Sequence, residues 1–293
     1  MISPGAVPAP IFIRGLMARS GSHFLGNLLC LHPDCAKSAL AEDALTTHAH
    51  VLADYAQKLL DHWAHATNGD SPAEADELFE CLGGGLIEFL HRTRRRSMQV
   101  RAERFNQPPE TGAEAKRLVT KYPWVTNLEL FFRLFPQARL LVLVRNGPDT
   151  VESFVRSFAP TREFPEYEKA MQYWVKGART ILRVRDEARY QRQWMIIKYE
   201  DLHRQTELEM RRILTFLELE TGRYAFDSLS NVPVVGSSDF KRGSGSVHWL
   251  PVCRTADFDP LSRAGNWTPE LYSRFCEIAG AESAQLGYAT VSV

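Results

Sequence analysis

The stretch from Ile11 to Pro33, reading IFIRGLMARSGSHFLGNLLCLHP, constrains the fold more than any other part of the chain. Ile11-Phe12-Ile13 is an apolar run with the length of one buried strand. A turn punctuated by Gly15 and Gly21 follows. Phe24, Leu25, Leu28, Leu29 and Leu31 then recur at helical spacing until Pro33 stops the pattern. Strand, glycine-bearing loop and helix together make a cradle for an anion, because loop N–H groups and the positive end of the helix dipole converge there. Arg19, Ser22 and His23 add side-chain donors at the same place. The spacing is not that of a nucleotide kinase: five residues separate Gly15 from Gly21, and Ser22 follows with no lysine.

The 293 residues suffice for a buried core and are read as a single domain, 1–293. It carries a helical insertion over roughly 44–106 and a covering loop over roughly 232–265. Lysine plus arginine and aspartate plus glutamate are balanced at 35 each, so no global basic field points to nucleic acid. No apolar run approaches the roughly 20 residues of a membrane span. Met1 to Pro10 lacks the basic start and apolar middle of a signal peptide and reads as a short lead-in. Cys30, Cys35, Cys81, Cys253 and Cys276 show no CxxC spacing. They suggest a reduced, cytoplasmic protein with no metal site, with Cys30 a buried thiol.

Between Asp34 and about Arg104 the pattern is helical. Leu52, Tyr55, Leu59, Leu60 and Trp63 form one apolar face, and Leu78, Phe79, Leu82, Leu86, Phe89 and Leu90 a second. Asn68 to Pro72 reads as the turn between them, and Gly83-Gly84-Gly85 as a kink or a helix break. Arg92, Arg94, Arg95, Arg96, Arg101 and Arg104 form either a solvated helix face or a docking surface for an acidic acceptor. Strands then alternate with helices. Arg117 to Lys121 is a strand, Leu128 to Phe135 a helix, and Leu140 to Val144 a strand apolar throughout, as burial on both faces requires. A helix follows with Asp149 as N-cap and Val151, Phe154, Val155 and Phe158 inward. A helix over Tyr167 to Arg185, a strand over Met195 to Tyr199, a helix through Phe216 and a last helix from Pro269 to about Ala279 complete the pattern. The expected fold is α/β, a central parallel sheet flanked by helices.

In such a sheet ligands sit at the carboxyl ends of the strands, where Arg19, Lys121, Arg145 and Tyr199 stand. A nucleoside triphosphatase would carry a metal-holding aspartate at the place of Arg145. An arginine suits a bound phosphate and repels a metal.

Four segments in this order resemble the superfamily of sulfotransferases that use 3′-phosphoadenosine 5′-phosphosulfate (PAPS). They are the Arg19 loop with Leu31-His32-Pro33, Lys121-Tyr122-Pro123 with Leu134-Phe135-Pro136, Leu143 to Gly147 with Ser153, and Lys198-Tyr199-Glu200-Asp201-Leu202. Gly265-Asn266-Trp267 and Leu286-Gly287-Tyr288 match habits of the same family. The loop is similar to that of the RSGT branch, which includes tyrosylprotein, glycan and many bacterial sulfotransferases. The segment 44–106 lies outside the resemblance.

The resemblance implies a P-loop-like phosphosulfate-binding loop, PAPS as co-substrate and no metal. Backbone amides of Ser20, Gly21, Ser22, His23 and Phe24, with Arg19 and the Ser22 hydroxyl, would hold the 5′-phosphosulfate. Arg145 and Ser153 would take the 3′-phosphate, and Tyr199 would line the nucleotide site. Ser237 or Ser238, Lys241-Arg242-Gly243 and Arg263 are the candidate contacts of the covering loop. Arg19 and Lys121 would stabilise the leaving phosphate. Glu42 would be the base, with Asp43 in reserve and His23 and His48 as competitors. At the place of His23 the family usually has Ser or Thr. The implied acceptor is a hydroxyl on a small molecule, a glycan or a peptide. Trp63, Phe79, Phe105, Trp124, Trp174 and Trp249 could line its pocket or belong to the core. The alternatives are a P-loop phosphotransferase and a non-catalytic protein that binds adenosine 3′,5′-bisphosphate (PAP).

Overall fold

The computed structural model describes residues 8–66, 74–105, 116–159, 161–237, 250–255 and 258–288. Its sheet contains β1 (Ile11–Gly15), β2 (Cys35–Lys37), β3 (Arg117–Tyr122), β4 (Arg139–Val144) and β5 (Trp194–Lys198), all parallel and in the order β2-β3-β1-β4-β5. β1 is central, with Ile13 in register with Lys121 of β3 on one side and Leu141 of β4 on the other. The chain leaves β1 for one edge and later crosses to the opposite side, so the crevice for a ligand opens at the carboxyl end of β1.

Alternation along the strands divides the core into two layers. Phe12 of β1 and Leu140, Val142 and Val144 of β4 face a layer built from α2 (Ala49–Ala66), α3 (Ala75–Phe105), α4 (Leu128–Leu134), α5 (Gly147–Phe158), α6 (Phe164–Arg185) and α9 (Pro269–Gln285). Ile11, Ile13, Leu141 and Leu143 face α1 (Ser22–Leu29), α7 (Tyr199–Arg204) and α8 (Thr206–Phe216). Covered on both faces, β4 has no polar side chain between Leu140 and Val144.

The elements depart from the sequence pattern where packing overrides periodicity. α1 stops at Leu29 rather than running on to Pro33, because Leu31 and His32 bond back three residues, to Leu28 and Leu29, and the His32 ring turns inward to the Glu220 carbonyl at 3.0 Å. Asn146, not Asp149, caps α5 by accepting from the Asp149 N–H, and Asp149 is buried inside the first turn. α9 continues six residues past Ala279, to Gln285. In α2 the buried positions are Ala49 and Ala56, and Tyr55 faces outward. Phe89 and Phe105 on α3 are exposed as well, whereas Phe79 and Trp174 are core.

The triple glycine does not break α3, which runs unbroken through it. Gly83 is instead where α3 presses on the end of α4: a Cβ there would stand 1.6 Å from the Leu134 carbonyl oxygen, while Gly84 and Gly85 face open space. Gly83→Ala should therefore lower stability by roughly 1–3 kcal/mol through overpacking. Gly84→Ala should raise it by about 0.5–1 kcal/mol through helix propensity. Urea denaturation of the two variants checks the opposite signs.

Candidate active site

The turn after β1 is closed by its own side chains. Leu16 N–H donates to the Leu143 carbonyl at 2.8 Å, keeping the chain beside β4 for one more residue. The Ser20 hydroxyl and amide both donate to the Met17 carbonyl, at 2.7 and 3.3 Å. Ser20 is therefore spent on shaping the loop, and its amide is not among the free donors that the sequence suggests. Leu25 makes the first helical bond, to Gly21 at 3.2 Å, so the amides of Ser22 and Phe24 begin α1 without intrahelical partners. Gly21 has φ 100°, and a Cβ on it would lie 2.3 Å from the Tyr199 ring. Both facts demand glycine.

A cleft opens over this loop. Arg19, Gly21, Ser22, His23, Phe24, Arg145, Ser153, Tyr199, Ser237 and Arg263 line it, together with Pro233 to Gly236, Arg254, Phe258 and Pro260. The cations come from separate parts of the fold. Arg19 sits at the tip of the loop with φ 81° and donates through Nε to the Ser153 hydroxyl at 3.1 Å. Arg145 follows β4, donates to the Arg19 carbonyl at 2.9 Å and to the Pro260 carbonyl, and lies 4.7 Å from the Tyr199 ring centroid. Its Nε is buried with no hydrogen-bond partner. Burial, then Arg145 and Arg263, hold the Arg19 pKa down to about 9; burial and Arg145 hold Arg263 at about 10. Burial raises the Tyr199 hydroxyl. Among the described residues no carboxylate lines the cleft. Crowded guanidiniums, an orphaned buried donor and free helical amides fit a polyanion.

A second pocket adjoins the first through Arg19, Ser22 and His23, and holds Glu42 with Ala18, Pro123, Trp124, Phe154 and Phe158. Glu42 is about half exposed at 44% and stands 3.6 Å from Lys121 Nζ. Burial lowers the Lys121 pKa. His23 reaches both pockets and also a third cavity lined by Asn27, Lys37 and Lys121. Burial, then Lys121, Arg19 and Lys37, depress its pKa to about 4, so the ring is neutral near pH 7.

The structure separates the carboxylates that the sequence left in competition. Asp43 is buried and accepts from Arg14 Nη1 and Nη2 at 2.9 and 2.8 Å, from the Thr120 hydroxyl at 2.9 Å and from Leu45 N–H at 3.1 Å. With both oxygens engaged it has no lone pair turned to a ligand, and it lines neither pocket. His48 is exposed at the start of α2, 6.0 Å from the His50 ring, and lines neither pocket.

The remaining motifs act as clasps. Glu200 accepts from Asn146 N–H at 2.8 Å and from the Tyr288 hydroxyl at 3.0 Å, while Lys198 donates to the Gly287 carbonyl at 2.8 Å. Trp267 Nε1 donates to Glu152 at 2.9 Å, beside Tyr167 at 2.7 Å and Arg156 at 2.5 Å. Asp149 accepts from Ala264 N–H at 3.0 Å, which draws Arg263 over the cleft. Sequence reasoning missed Arg254, Phe258 and the Pro260 carbonyl, because no periodic pattern marks that loop. Val234 and Val252 pair as an antiparallel bridge across it. Ser238, Lys241, Arg242, Gly243 and Trp249 lie outside the described residues. Among the described residues there is no group of three metal-ligating side chains, and no helix is long and apolar enough to cross a membrane.

The profile described as "Sulfotransferase family" matches residues 10–223. The chain is 29% identical over 111 residues to protein-tyrosine sulfotransferase A of Caenorhabditis elegans. That match takes in 37% of this chain and 29% of the relative, so it spans less than a third of that protein's length. Among solved structures, the sulfotransferase domain from the curacin biosynthetic pathway is similar with TM-score 0.51 and 20% identity, covering 97% of this chain and 99% of that one. The sulfotransferase domain of the Synechococcus PCC 7002 olefin synthase gives TM-score 0.50 at 20% identity, covering 95% and 96%. At that identity the structural likeness speaks for the fold, and the sequence profile for descent: this chain belongs to the sulfotransferase family.

Proposed function

We propose that the chain moves a sulfuryl group from PAPS to an acceptor hydroxyl by in-line displacement and releases PAP. One observation carries the reading. Arg19, Arg145 and Arg263 converge, with the first-turn amides of α1 at Ser22 and Phe24, on a cleft that opens into a pocket holding Glu42. A metal-dependent phosphotransferase needs an acid where Arg145 stands. The five free cysteines support a reducing, cytoplasmic setting.

In this reading the α1 amides and the Ser22 hydroxyl hold the 5′-phosphosulfate, and Arg145 with Ser153 and Arg263 hold the 3′-phosphate. Tyr199 carries Arg145 on its ring and keeps Gly21 in place. Glu42 takes the acceptor proton. Lys121 sits beside it as the cation for charge that builds on the transferring group, with Arg19 on the other side of the shared wall. Such preorganised charges are worth several kcal/mol where water is excluded. Neutral His23 offers a ring N–H at the junction of the pockets.

Titration calorimetry should show tight PAP binding that Arg145→Ala weakens at least ~30-fold, the effect of removing one partner from a buried charge pair. Preference for ATP with Mg²⁺ over PAP would instead restore the phosphotransferase. Glu42→Gln should lower kcat by about 10²–10⁴ with PAP affinity kept. Near-normal turnover would remove Glu42 as the base.

The pH dependence follows from His23. Its free-state pKa is about 4, and a bound polyanion raises it, so the complex holds more protons between the two values. Affinity for PAP should therefore rise as pH falls from 7 toward 5. PAP's own phosphates titrate in the opposite sense, so the quantity to read is wild type minus His23→Gln. A difference that stays flat across that range would show His23 uncoupled from the ligand.

A further inference from the structure

The pocket beside the phosphosulfate end of the cleft has walls whose chemistry specifies what can enter. Resting on the sulfotransferase reading, we propose that the acceptor is a flat, apolar molecule bearing a single aromatic hydroxyl, and neither a sugar nor an acidic peptide. The reacting end of this pocket is polar, with Glu42, Arg19, Ser22 and His23. Everything else that lines it is apolar or aromatic: Ala18, Pro123, Trp124, Phe154 and Phe158.

These rings brace one another. Trp124 meets Phe154 at 6.1 Å and 75°, and Tyr173 behind them at 5.6 Å and 79°. Phe154 meets Phe158 at 5.2 Å and 62°. Edge-to-face packing of this kind holds a wall in shape before any ligand arrives. Phe158 is nonetheless 47% exposed, a large apolar ring at the pocket left for an apolar partner to cover. The Arg19 guanidinium lies 6.0 Å from that ring, so the wall is continuous with the phosphate loop.

The same lining argues against the other acceptors. Beyond the reacting end its described residues offer no side-chain hydroxyl, amide or carboxylate, so the further hydroxyls of a sugar would be desolvated without partners there. Among its described residues Arg19 is the one basic side chain besides the neutral His23, and it faces the phosphosulfate end, so an acidic peptide finds no further cation there. Acidity favours an aryl hydroxyl too. A phenol, with a pKa of about 10, yields its proton to a carboxylate paired with Lys121 more readily than an aliphatic alcohol does.

The transfer balances without another reactant. The aryl oxygen forms a bond to sulfur as the bond from sulfur to the 5′-phosphate oxygen breaks. The phosphate leaves with the electron pair, the hydroxyl proton passes to Glu42, and Glu42 returns it to solvent. The products are an aryl sulfate, PAP and one proton.

The test compares 2-naphthol, N-acetylglucosamine and a short tyrosine peptide flanked by glutamates as acceptors with PAPS, and titrates 2-naphthol into the PAP complex by calorimetry. The expected result is kcat/KM for 2-naphthol at least ~100-fold above the other two, and measurable 2-naphthol binding to the PAP complex. Phe158→Ala, a surface change that spares the core, should raise KM for 2-naphthol at least ~10-fold while kcat moves less. Equal or better turnover of the sugar or the peptide overturns the proposal. So does a PAP complex that neither binds nor sulfates 2-naphthol. Failure to bind PAP at all, seen in the titration without acceptor, overturns the sulfotransferase reading itself and this proposal with it.

Discussion

A buried ion pair fixes the geometry on which the site depends. Arg14 stands in the middle of the central strand with 1% of its side chain exposed, and Asp43 meets it with none exposed. An arginine in that position would be severely destabilising alone; removing one member of such a pair typically costs about 3–5 kcal/mol. The pair is bidentate, and Asp43 also takes the Thr120 hydroxyl, while its own amide donates to the Lys121 carbonyl at 3.0 Å. The segment after β2 is thereby stitched to β1 and β3 at once. Its neighbour Glu42, half exposed, lies 3.6 Å from Lys121 Nζ, in the pocket that also holds Arg19 and Ser22 of the loop after β1. The carboxylate that serves structure and the one available for chemistry are adjacent in sequence and opposite in environment.

The cleft itself is held in an electrostatically expensive state. Three guanidiniums and Arg254 crowd the same space, and among the described residues they are held mainly by carbonyls, the Ser153 hydroxyl and the face of Tyr199, with Asp149 a lesser counter-charge. Such partners satisfy donors without cancelling charge, which is why burial and mutual repulsion depress Arg19 and Arg263. Such an imbalance of positive charge suits an anion. His23 belongs to the same field. Surrounded by Lys121, Arg19 and Lys37, it stays neutral and contributes a donor without another charge.

The clasps explain why distant segments appear together in the sequence. Lys198 and Glu200 tie β5 to the Gly287-Tyr288 turn and to Asn146, so Arg145 is held from both sides. Glu152, one turn into α5 and next to Ser153, gathers Trp267, Tyr167 and Arg156. Burial disfavours its ionised form, yet the bonds from these partners outweigh that and lower its pKa. These residues shape the cleft without lining it.

The sequence by itself determined the parallel sheet and four of its five strands, because apolar runs bounded by turns suit strands covered on both faces. It did not mark β2, the three residues Cys35–Lys37 at the sheet edge, which lie in a stretch that reads as helical. It also marked the glycine-bearing loop after β1 and placed Arg19, Lys121, Arg145 and Tyr199 near carboxyl ends of strands, where a parallel sheet exposes them. The tertiary structure alone decided which carboxylate is available. Glu42 and Asp43 differ by one position, and only the partner across the sheet, Arg14, removes one of them. It also decided that Ser20 shapes the loop, that Gly83 admits a helix end, and that Trp124, Phe154 and Phe158 form one wall. Periodicity records which face of an element is apolar. It does not record which element that face meets, and the chemistry of a site is set by what meets there.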